Sequence, residues 1–441
     1  MMNLALYLDA GIHQGGWRYP QAARDNGSRW PLLRSIALRA EAAKLDMVFI
    51  ADKLAIDDIY GGELTATVRS RPQGWSEPLT LLAALAAVTT HIGLGGTVSS
   101  SYSLPYTVAR QLANIDHISE GRAAWNVVTS VSDAEARNYG RPQHYSHSES
   151  YRRAAEFIPL VRQLWDSFAG DAVVNDQQNA LFARPERFRY LNHHSEWFSV
   201  RGPLNIPRPP QGYPVTLQAG VSEEFIDLAA RYAEVMFVVQ PDQQRAAAFC
   251  QRIKQKVALA GRQPQHARIL PGIVPVIAET RAAAEEKKRH LDSLITVDSA
   301  LSFMSASMNH DLGRYPVDEP VPDIREVITG SKGRFNFVIS QAIEQQLTLG
   351  QMALRYAESL SFPSPAGTAD DIAAMMAEWY QAGACDGFVI LPAYLETDRN
   401  LFLDEVVPRL QRAGVFRNEY PGKTLRDTLG LSVPENPFFP S

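Results

Sequence analysis

The chain has 441 residues, of which 45% are hydrophobic and 21% are charged, and its formal net charge is −5. This is an ordinary globular composition with apolar material for a large core, and one decorated domain fits the length as well as two domains do. The charges form no long run of one sign, and the basic tract 287–289 follows two glutamates in a helical stretch. A solvated helix face explains that tract better than a nucleic-acid site.

Two cysteines, Cys250 and Cys385, lie inside predicted regular elements and form no CxxC motif. This pattern argues against a disulfide framework and against a zinc knuckle. The best apolar run, from Leu79 to Val88, is only about half as long as a membrane span. We therefore expect a soluble, cytoplasmic protein with no metal site and with neither a membrane nor a nucleic acid as its partner.

Short apolar runs alternate with longer amphipathic runs from the first residues onward, and this alternation predicts strands separated by helices. Leu4 to Leu8 is the first predicted strand, Trp30 to Leu45 the first helix, and Met47 to Asp52 the second strand. Four strand–helix rounds are completed by predicted helices at 77–89, 105–119 and 151–165 and by predicted strands at 92–100 and 122–130.

Two interruptions break this rhythm in the second half of the chain. The segment from about 169 to 214 is rich in Pro, Asn, Arg and aromatic residues, and includes a strand-like run from Glu196 to Val200. The segment from about 296 to 349 has no clean period. Both are too long for ordinary connections, so we interpret them as insertions. Between and after them we predict strands at 214–220, 234–240, 269–278 and 387–393, helices at 243–259, 281–294 and 369–382, one helix opening at Ser222 and one ending near 413, and a tail from about 416 to 441.

Eight strands separated by helices predict a parallel sheet, and eight units are the number that closes a (β/α)8 barrel. The alternative is an open, doubly wound sheet. That fold would place a glycine-rich dinucleotide turn after its first strand, and the nearest candidate, at 93–98, lacks the third glycine of GxGxxG. We therefore expect a single barrel domain of α/β class that carries the two insertions.

In such a barrel the active site lies where the strands end. That rule selects His13, Trp17 and Arg18 after the first strand, Asp52 after the second, and the segments 97–101, 126–130 and 218–220. This set has no HxH pair of metal ligands and no pair of carboxylates at strand ends, which argues against a metal hydrolase and a glycosidase. Hydroxyls, amides and one or two histidines suit a bound polar cofactor that carries the chemistry itself.

The turn from Gln218 to Ser222 is the strongest physical signal in the sequence. A strand ends there in a small residue and a glycine, and Ser222 then opens a helix, so that free N–H groups and the positive end of the helix dipole form an anion site. A plain helix cap is the alternative interpretation. His147 and Tyr151 stand four residues apart on one helix face and could reach the same anion, although surface polarity explains them equally well.

The run from Glu77 to Ser130, EPLTLLAALAAVTTHIGLGGTVSSSYSLPYTVARQLANIDHISEGRAAWNVVTS, resembles flavin-dependent monooxygenases of the bacterial luciferase superfamily. The similar branch acts on nitrilotriacetate, dibenzothiophene sulfone and long-chain alkanes. His13 with Trp17 and Arg18, the FIAD of the second strand, the helix that ends in LWDSF and the QAGVS turn extend the resemblance over nearly the whole chain.

Residue by residue, the resemblance implies FMN contacts from Asp52, Thr97, His147, Tyr151 and Ser222. It also implies a backbone contact from Val221 and places Asn126 against the flavin ring. It further implies that His13 and Trp17 line the substrate side of the site. His13 would either protonate the oxygenated flavin or only pack against the substrate.

Two departures from the family pattern concern the phosphate. The family often has Arg immediately before the helix tyrosine, where this chain has Ser150, and we expect Arg152 or Arg153 to substitute for it. Glu223 and Glu224 follow the QAGVS turn, where the family has small residues. Because like charge near a phosphate weakens binding, we expect both carboxylates to point away to solvent.

The reaction implied by the resemblance uses reduced FMN and O2, forms a C4a-peroxyflavin and oxygenates a small organic substrate. Since the sequence shows no nicotinamide motif, a separate NAD(P)H:flavin reductase would supply the reduced FMN. The insertions would act as lids that exclude water, and the chain would form a homodimer or homotetramer. Two alternatives stay open: a deazaflavin-dependent oxidoreductase on the same barrel, and an FMN-binding protein without turnover.

Overall fold

A computed structural model describes residues 1–8, 11–24, 29–72, 76–395 and 400–440. Eight parallel strands close a barrel in which each strand pairs with its neighbours in chain order and the last pairs with the first, with Asn3 opposite Gly387. The predicted (β/α)8 fold is therefore confirmed. The strands are β1 Asn3–Tyr7, β2 Met47–Ile50, β3 Gly93–Ser99, β4 Ala123–Val128, β5 Val215–Ala219, β6 Val235–Val238, β7 Arg268–Ile273 and β8 Gly387–Ile390.

Helices surround the barrel, and no described helix is both long enough and apolar enough to cross a bilayer. The predicted helix near Tyr151 begins at His147, where Ser146 caps it and Glu149 completes a capping box. In chain order the helices are α1 Trp30–Ala42, α2 Thr65–Ser70, α3 Pro78–Ala86, α4 Pro105–Ile118, α5 Asp133–Asn138, α6 His147–Asp166, α7 Glu223–Tyr232, α8 Gln243–Leu259, α9 Arg281–Ser293, α10 Val297–Met308, α11 Lys332–Glu344, α12 Leu349–Ser359, α13 Ala369–Gln381, α14 Val407–Arg412 and α15 Leu425–Leu429.

Side chains along each strand point alternately into the barrel and outward, and they form two apolar layers. One layer fills the barrel and includes Ala5, Met47, Leu217 and Val389. The intervening residues, such as Leu4 and Leu6, pack against the surrounding helices. Burial on both sides explains why the strands read as nearly continuous apolar runs.

A repeated ionic arrangement fixes the amino ends of the strands. An acidic residue immediately precedes each of β2, β6 and β8, and its carboxylate accepts a backbone N–H from the preceding strand of the barrel. The three bonds run from Leu4 to Asp46, from Thr216 to Glu234 and from Ile269 to Asp386. Each carboxylate also has a cationic partner. The pairs are Asp46 with Arg417 at 2.8 Å, Glu234 with Arg426 at 2.8 Å and Asp386 with Lys254 at 2.8 Å.

The C-terminal tail closes this end of the barrel. Leu425 is buried against Gly93, where a Cβ would lie 2.5 Å from the leucine Cδ1. Arg426 is buried beside it, and its guanidinium donates to the backbone oxygen of Tyr213 as well as to Glu234. The tail is therefore part of the barrel base, whereas only its bounds, about 416 to 441, were predicted from the sequence.

The first predicted insertion, 169–214, contains two small antiparallel hairpins, Val173–Asp176 with Leu181–Ala183 and His193–His194 with Ser199–Val200. The predicted strand from Glu196 is therefore too long at its start. The Ser195 hydroxyl accepts the N–H groups of Trp197 and Phe198 and holds a turn there.

The second predicted insertion, 296–349, contains the helices α10 and α11, which the sequence did not reveal. Most residues of α10 are buried, including Ala300, Leu301, Met304 and Met308, because the helix packs against α2 on one side and α12 on another. A helix buried nearly all round has no polar face, so it shows no amphipathic period.

The predicted strand 269–278 is also wrong in its second half, because β7 ends at Ile273. Pro275 has no N–H to continue the barrel ladder. The following Val276–Ile277 pairs with Ala366–Gly367 in a separate two-stranded sheet.

Candidate active site

Two neighbouring cavities lie at the carboxyl ends of the strands. The first, which we call the β4–β5 cavity, has a volume of about 310 Å³ and is lined by Val128, Tyr151, Gln218 and Ser222 among others. The second, the β1–β2 cavity, has a volume of about 210 Å³ and is lined by residues that follow β1 and β2, with part of α10. Asp52 and Lys53 line both cavities.

The QAGVS turn forms one corner of the β4–β5 cavity. Gly220, Val221 and Ser222 line it, and the Ser222 side chain caps α7 by accepting the N–H of Phe225 at 3.2 Å. Gly220 packs so closely that a Cβ there would lie 2.8 Å from the Phe225 ring. The start of α7 is thus open toward the cavity, as an anion site requires.

Tyr151 reaches this corner from α6. Its hydroxyl forms hydrogen bonds with Ser222 and Thr129, and burial raises the pKa of the phenol, which keeps the hydroxyl protonated at neutral pH. The His147 ring lies against Tyr151 with ring centroids 4.8 Å apart. Tyr151 and Ser222 are therefore brought together, as the sequence predicted, and His147 is adjacent to them.

The two glutamates of the turn behave differently from each other. Glu223 points away from the cavity to Arg252, as expected. Glu224 is exposed, but its carboxylate lies 3.7 Å from His147 Nε2. Both side chains are therefore exposed, as expected, and Glu224 also has His147 as a nearby partner.

Neither Ser150 nor Arg153 supplies a cation to the β4–β5 cavity. The Ser150 hydroxyl is buried beside His144 and the backbone oxygen of Ser146. The Arg153 guanidinium donates to the backbone oxygen of Ser100 at 3.1 Å and covers the ring of Phe198. Substitution by Arg153 is therefore wrong in this arrangement, because those two contacts hold its guanidinium.

Thr97 and Asn126 face each other across β3 and β4. The Asn126 amide donates to the Thr97 hydroxyl at 2.9 Å, and that hydroxyl donates to the backbone oxygen of Ile50 at 2.9 Å. Both side chains are buried, and neither lines the two cavities. The structure thus joins these predicted site residues to each other and to β2.

Asp52 occupies the junction of the two cavities. Burial raises its pKa from 3.8 to about 6, the N–H of Lys53 opposes this rise, and the negative charges of Glu77 and Glu135 add to it. A carboxyl group with this pKa changes its charge close to neutral pH, a property typical of functional sites.

Lys53 stays charged beside it. Burial alone would lower the pKa of the ammonium, but Glu135 and Asp57 raise it above its ordinary value. The Lys53 Nζ lies 3.0 Å from Asp57 and 4.0 Å from Glu135. Sequence reasoning missed both Lys53 and Glu135, although the position of Lys53 directly after the strand-end Asp52 was a usable signal.

Both ring nitrogens of His13 are occupied inside the protein. Its Nδ1 accepts the N–H of Gly15 at 3.1 Å, and its Nε2 lies 3.1 Å from the Asp292 carboxylate. This pattern assigns the proton of the neutral ring to Nε2. His13 lines the β1–β2 cavity, and its geometry favours a packing role over proton transfer.

Trp17 stands at the rim of the β1–β2 cavity, 44% exposed, with its Nε1 donating to the backbone oxygen of Ser70 at 3.0 Å. It also lines an outer cleft, as do Arg18, Glu63, Arg69 and Asp298. Gln14 and Trp17 line both the cleft and the cavity, so the two adjoin each other at these residues.

Gln218 belongs to the turn that the sequence singled out, but no role was predicted there for its own side chain, although its polarity inside an apolar strand was a signal. Its side chain is 3% exposed, it lines the β4–β5 cavity, and its Oε1 has no hydrogen-bond partner among the described residues. A buried polar atom of this kind requires a partner from a ligand or water. Arg334, from α11, also lines this cavity, but the unpredicted helix hid it.

Comparison with known proteins agrees with this geometry. A model of the luciferase-like monooxygenase family matches residues 10–386. Dibenzothiophene-sulfone monooxygenase from Rhodococcus erythropolis is 42% identical over 98% of this chain and 97% of its own. Nitrilotriacetate monooxygenase component A from Aminobacter aminovorans is 42% identical over 99% of this chain and 97% of its own.

A solved structure shows the same fold with flavins bound. It is a riboflavin lyase with modified FMN and substrate riboflavin, and it covers 98% of this chain and 96% of its own, with a TM-score of 0.88 and 27% identity. The chain therefore belongs to the luciferase-like monooxygenase family and is a flavin-dependent monooxygenase.

Proposed function

We propose that this chain is the oxygenase component of a two-component system. It would take reduced FMN from a separate NAD(P)H:flavin reductase and use O2, through a C4a-peroxyflavin, to oxygenate a small organic substrate in the cytoplasm. The name of the Aminobacter relative, component A, supports the division into components.

The observation that carries the proposal is the β4–β5 cavity. Its open helix start at Ser222 and its protonated Tyr151 hydroxyl suit a phosphate, and the partnerless Gln218 oxygen suits a hydroxyl or N–H of a flavin. Phe237 and Val239 give the same cavity an apolar wall for the ring. The residues present therefore fit FMN.

FMN, when bound, supplies the activation of oxygen, and the protein supplies binding, orientation and exclusion of water. We assign the phosphate to the N–H groups of Val221 and Ser222 and to Tyr151 and His147. Asp52, at the junction of the cavities, would contact the flavin beside the substrate, while His13 and Trp17 would line the substrate.

We also propose that Thr97 and Asn126 contact the flavin, but their side chains would have to move to do so. Their side chains bond each other below the cavity, so a flavin contact would replace that hydrogen bond. Weaker FMN binding by Asn126→Ala, measured by quenching of flavin fluorescence, supports the contact, and an unchanged dissociation constant rejects it.

The second insertion, which provides α10 and α11, is placed to exclude water. Phe303 and Ala306 of α10 line the β1–β2 cavity, whereas Gly333 and Arg334 of α11 line the β4–β5 cavity. None of the residues 169–214 lines either cavity. We therefore assign the lid to the second insertion alone.

The experiment that tests the proposal is reconstitution. The chain with FMN, NADH and O2 should oxygenate nothing, and addition of any competent flavin reductase should start turnover of an accepted substrate. NADH oxidation by the isolated chain at the rate of turnover would contradict the two-component assignment. Binding of a reduced deazaflavin in preference to reduced FMN would favour the deazaflavin alternative.

The oligomeric state is part of the same proposal. We expect a homodimer or homotetramer, in line with the family resemblance. Sedimentation of only a 48.9 kDa species at micromolar concentration would count against it.

A further inference from the structure

The β1–β2 cavity is where the proposed function places the substrate, and its charges restrict what can enter. Two cations line it, Lys53 and Arg71, and both are held by the same carboxylate. The Lys53 Nζ lies 3.0 Å from one oxygen of Asp57, and an Arg71 Nη lies 3.0 Å from the other. A second carboxylate, Asp52, lines the cavity too. The cavity therefore holds two cations and two acids.

The outer cleft that adjoins this cavity also has equal numbers of cationic and acidic side chains. Arg18 and Arg69 line it together with Glu63 and Asp298, and Arg18 already donates to the backbone oxygen of Leu294 at 2.6 Å. Among the described residues, neither the cleft nor the cavity has an excess of positive charge. The lining charges therefore provide no net positive charge that would attract a polyanion.

The rest of the cavity wall is largely apolar. Tyr7, Ile12, Phe303 and Leu360 contribute to it. The Arg71 guanidinium lies 4.9 Å from the centroid of the Phe303 ring, so the ring face is covered by a cation that Asp57 neutralises. The volume of about 210 Å³ lies below the ~300–1,000 Å³ of pockets for drug-sized ligands.

From these observations we propose that the β1–β2 cavity takes a small, uncharged and largely apolar substrate and rejects polycarboxylates. A carboxylate that entered would lose its hydration, and each lining cation already has an acidic partner, so the loss would not be offset. This inference rests on the proposed function. Similarity alone does not decide the point, since the two relatives described above share 42% identity with this chain and are named for an uncharged sulfone and for a tricarboxylate.

The first test compares those two ligand classes on the full chain saturated with oxidised FMN. Binding of nitrilotriacetate and of a series of uncharged sulfides and sulfones with one to three rings, dibenzothiophene sulfone included, is followed by tryptophan fluorescence and equilibrium dialysis. We expect at least one uncharged member to bind about 100-fold more tightly than nitrilotriacetate, with little dependence on salt. Preference for nitrilotriacetate, or no binding of any uncharged member at its solubility limit, would overturn the inference.

The failure of this inference is distinguishable from failure of the proposed function. FMN binding is measured in the same samples before any ligand is added. A chain that binds FMN and prefers nitrilotriacetate contradicts only the substrate class. A chain that binds no FMN contradicts the proposed function, while the preference between the two ligand classes is still measured on the chain alone.

The second test removes the acidic partners of the cations that line the cavity and the cleft. Asp57→Asn removes the carboxylate that Lys53 and Arg71 share, and should raise the affinity for nitrilotriacetate by at least about tenfold, with the affinity for the uncharged ligand changed less than about twofold. Because Asp57 is buried, Glu63→Gln on the exposed cleft wall provides a second variant with a smaller change in the same direction. Glu419→Gln, an exposed acid paired with Lys44, adds the same charge elsewhere and should change neither affinity. If neither Asp57→Asn nor Glu63→Gln raises the affinity for nitrilotriacetate, the charge balance does not select the substrate.

Discussion

Buried polar side chains at the two ends of the barrel differ in whether they have hydrogen-bond or ionic partners within the chain. At the amino end Asp46, Glu234 and Asp386 each bind a strand N–H and a cation. At the carboxyl end the Gln218 oxygen has no partner among the described residues, and burial raises the pKa of Asp52 to about 6. The three carboxylates of the amino end are paired within the chain, although Asn3 Oδ1 beside them has no partner among the described residues. At the carboxyl end Gln218 and Asp52 line the cavities with their interactions incomplete.

This difference separates stability from function along the barrel axis. Interactions completed within the chain lower the free energy of the folded state, and breaking one leaves a buried group unsatisfied. Interactions left incomplete cost stability until a ligand completes them, as is typical of active sites. The comparison therefore predicts opposite effects of similar substitutions at the two ends.

The largest expected effect is that of Arg426→Leu at the amino end. The substitution leaves the Glu234 carboxylate buried without its closest cation, and breaking a buried pair in this way costs about 3–5 kcal/mol. Urea denaturation should show this loss in the free energy of unfolding. Arg281→Ala, which removes an exposed pair with Asp371, is the control and should lower the free energy of unfolding far less, because water screens an exposed pair.

A matched pair of glutamines tests the comparison directly. Gln211, at the amino end, donates to Asp116 and to the backbone oxygen of Ala123 and accepts the N–H of Arg426. Gln211→Leu should therefore lower the free energy of unfolding by about 3 kcal/mol, as three hydrogen bonds at roughly 1 kcal/mol each imply.

Gln218→Leu should do the reverse in the FMN-free chain. It replaces a buried amide whose oxygen has no partner, so the free energy of unfolding should rise by about 1 kcal/mol, while FMN binding weakens. If Gln218→Leu destabilised the FMN-free chain as strongly as Gln211→Leu, the two ends would not differ in the way proposed.

Tyr151→Phe tests the carboxyl end alone. Hydrogen bonds to charged groups contribute about 1.5–3 kcal/mol, so loss of this hydroxyl should raise the FMN dissociation constant by roughly tenfold to a hundredfold. Riboflavin binding should scarcely change, because riboflavin has no phosphate. Equal weakening of both flavins in fluorescence titrations, or of neither, would show that Tyr151 does not contact the phosphate.

How far the sequence predicted the molecule follows from the range of the interactions involved. The eight strands and the meeting of Tyr151 with Ser222 depend on local periodicity and on the rule that strand ends converge, so both were predictable. Gln218 and Lys53 stand beside predicted residues, but their burial depends on distant segments. The role of Arg426 was hidden because its partner Glu234 lies 192 residues away.

The helices α10 and α11 were hidden for a different reason. Burial of α10 on several sides removes the amphipathic pattern by which helices are recognised, as Met304 illustrates. In α11 only Phe335, Ile339 and Ala342 are buried, a narrow apolar face that the mixed sequence of the insertion did not make evident. Without these helices the sequence could not predict that Arg334 lines a cavity, nor which residues of the second insertion form the cavity walls. The same limit applies to substrate class, since the charge balance around Asp57 becomes visible only when α2, α10 and the strand ends are brought together.

The last expected effect concerns the pH dependence of stability caused by Asp52. Its pKa is raised from 3.8 to about 6 in the folded chain, chiefly by burial, so the folded state binds a proton more tightly than the unfolded state does. The stability contributed by the protonated carboxyl is fully present below about pH 4 and is lost as the pH rises through about 6. The free energy of unfolding of the FMN-free wild type, minus that of Asp52→Asn, should therefore fall from about pH 4 to about pH 7 and stay constant above that range. Urea denaturation of both proteins across this range measures the difference. A difference that rises over the same range would mean that the carboxylate is stabilised in the fold, and that the carboxyl end is satisfied at Asp52 as the amino end is.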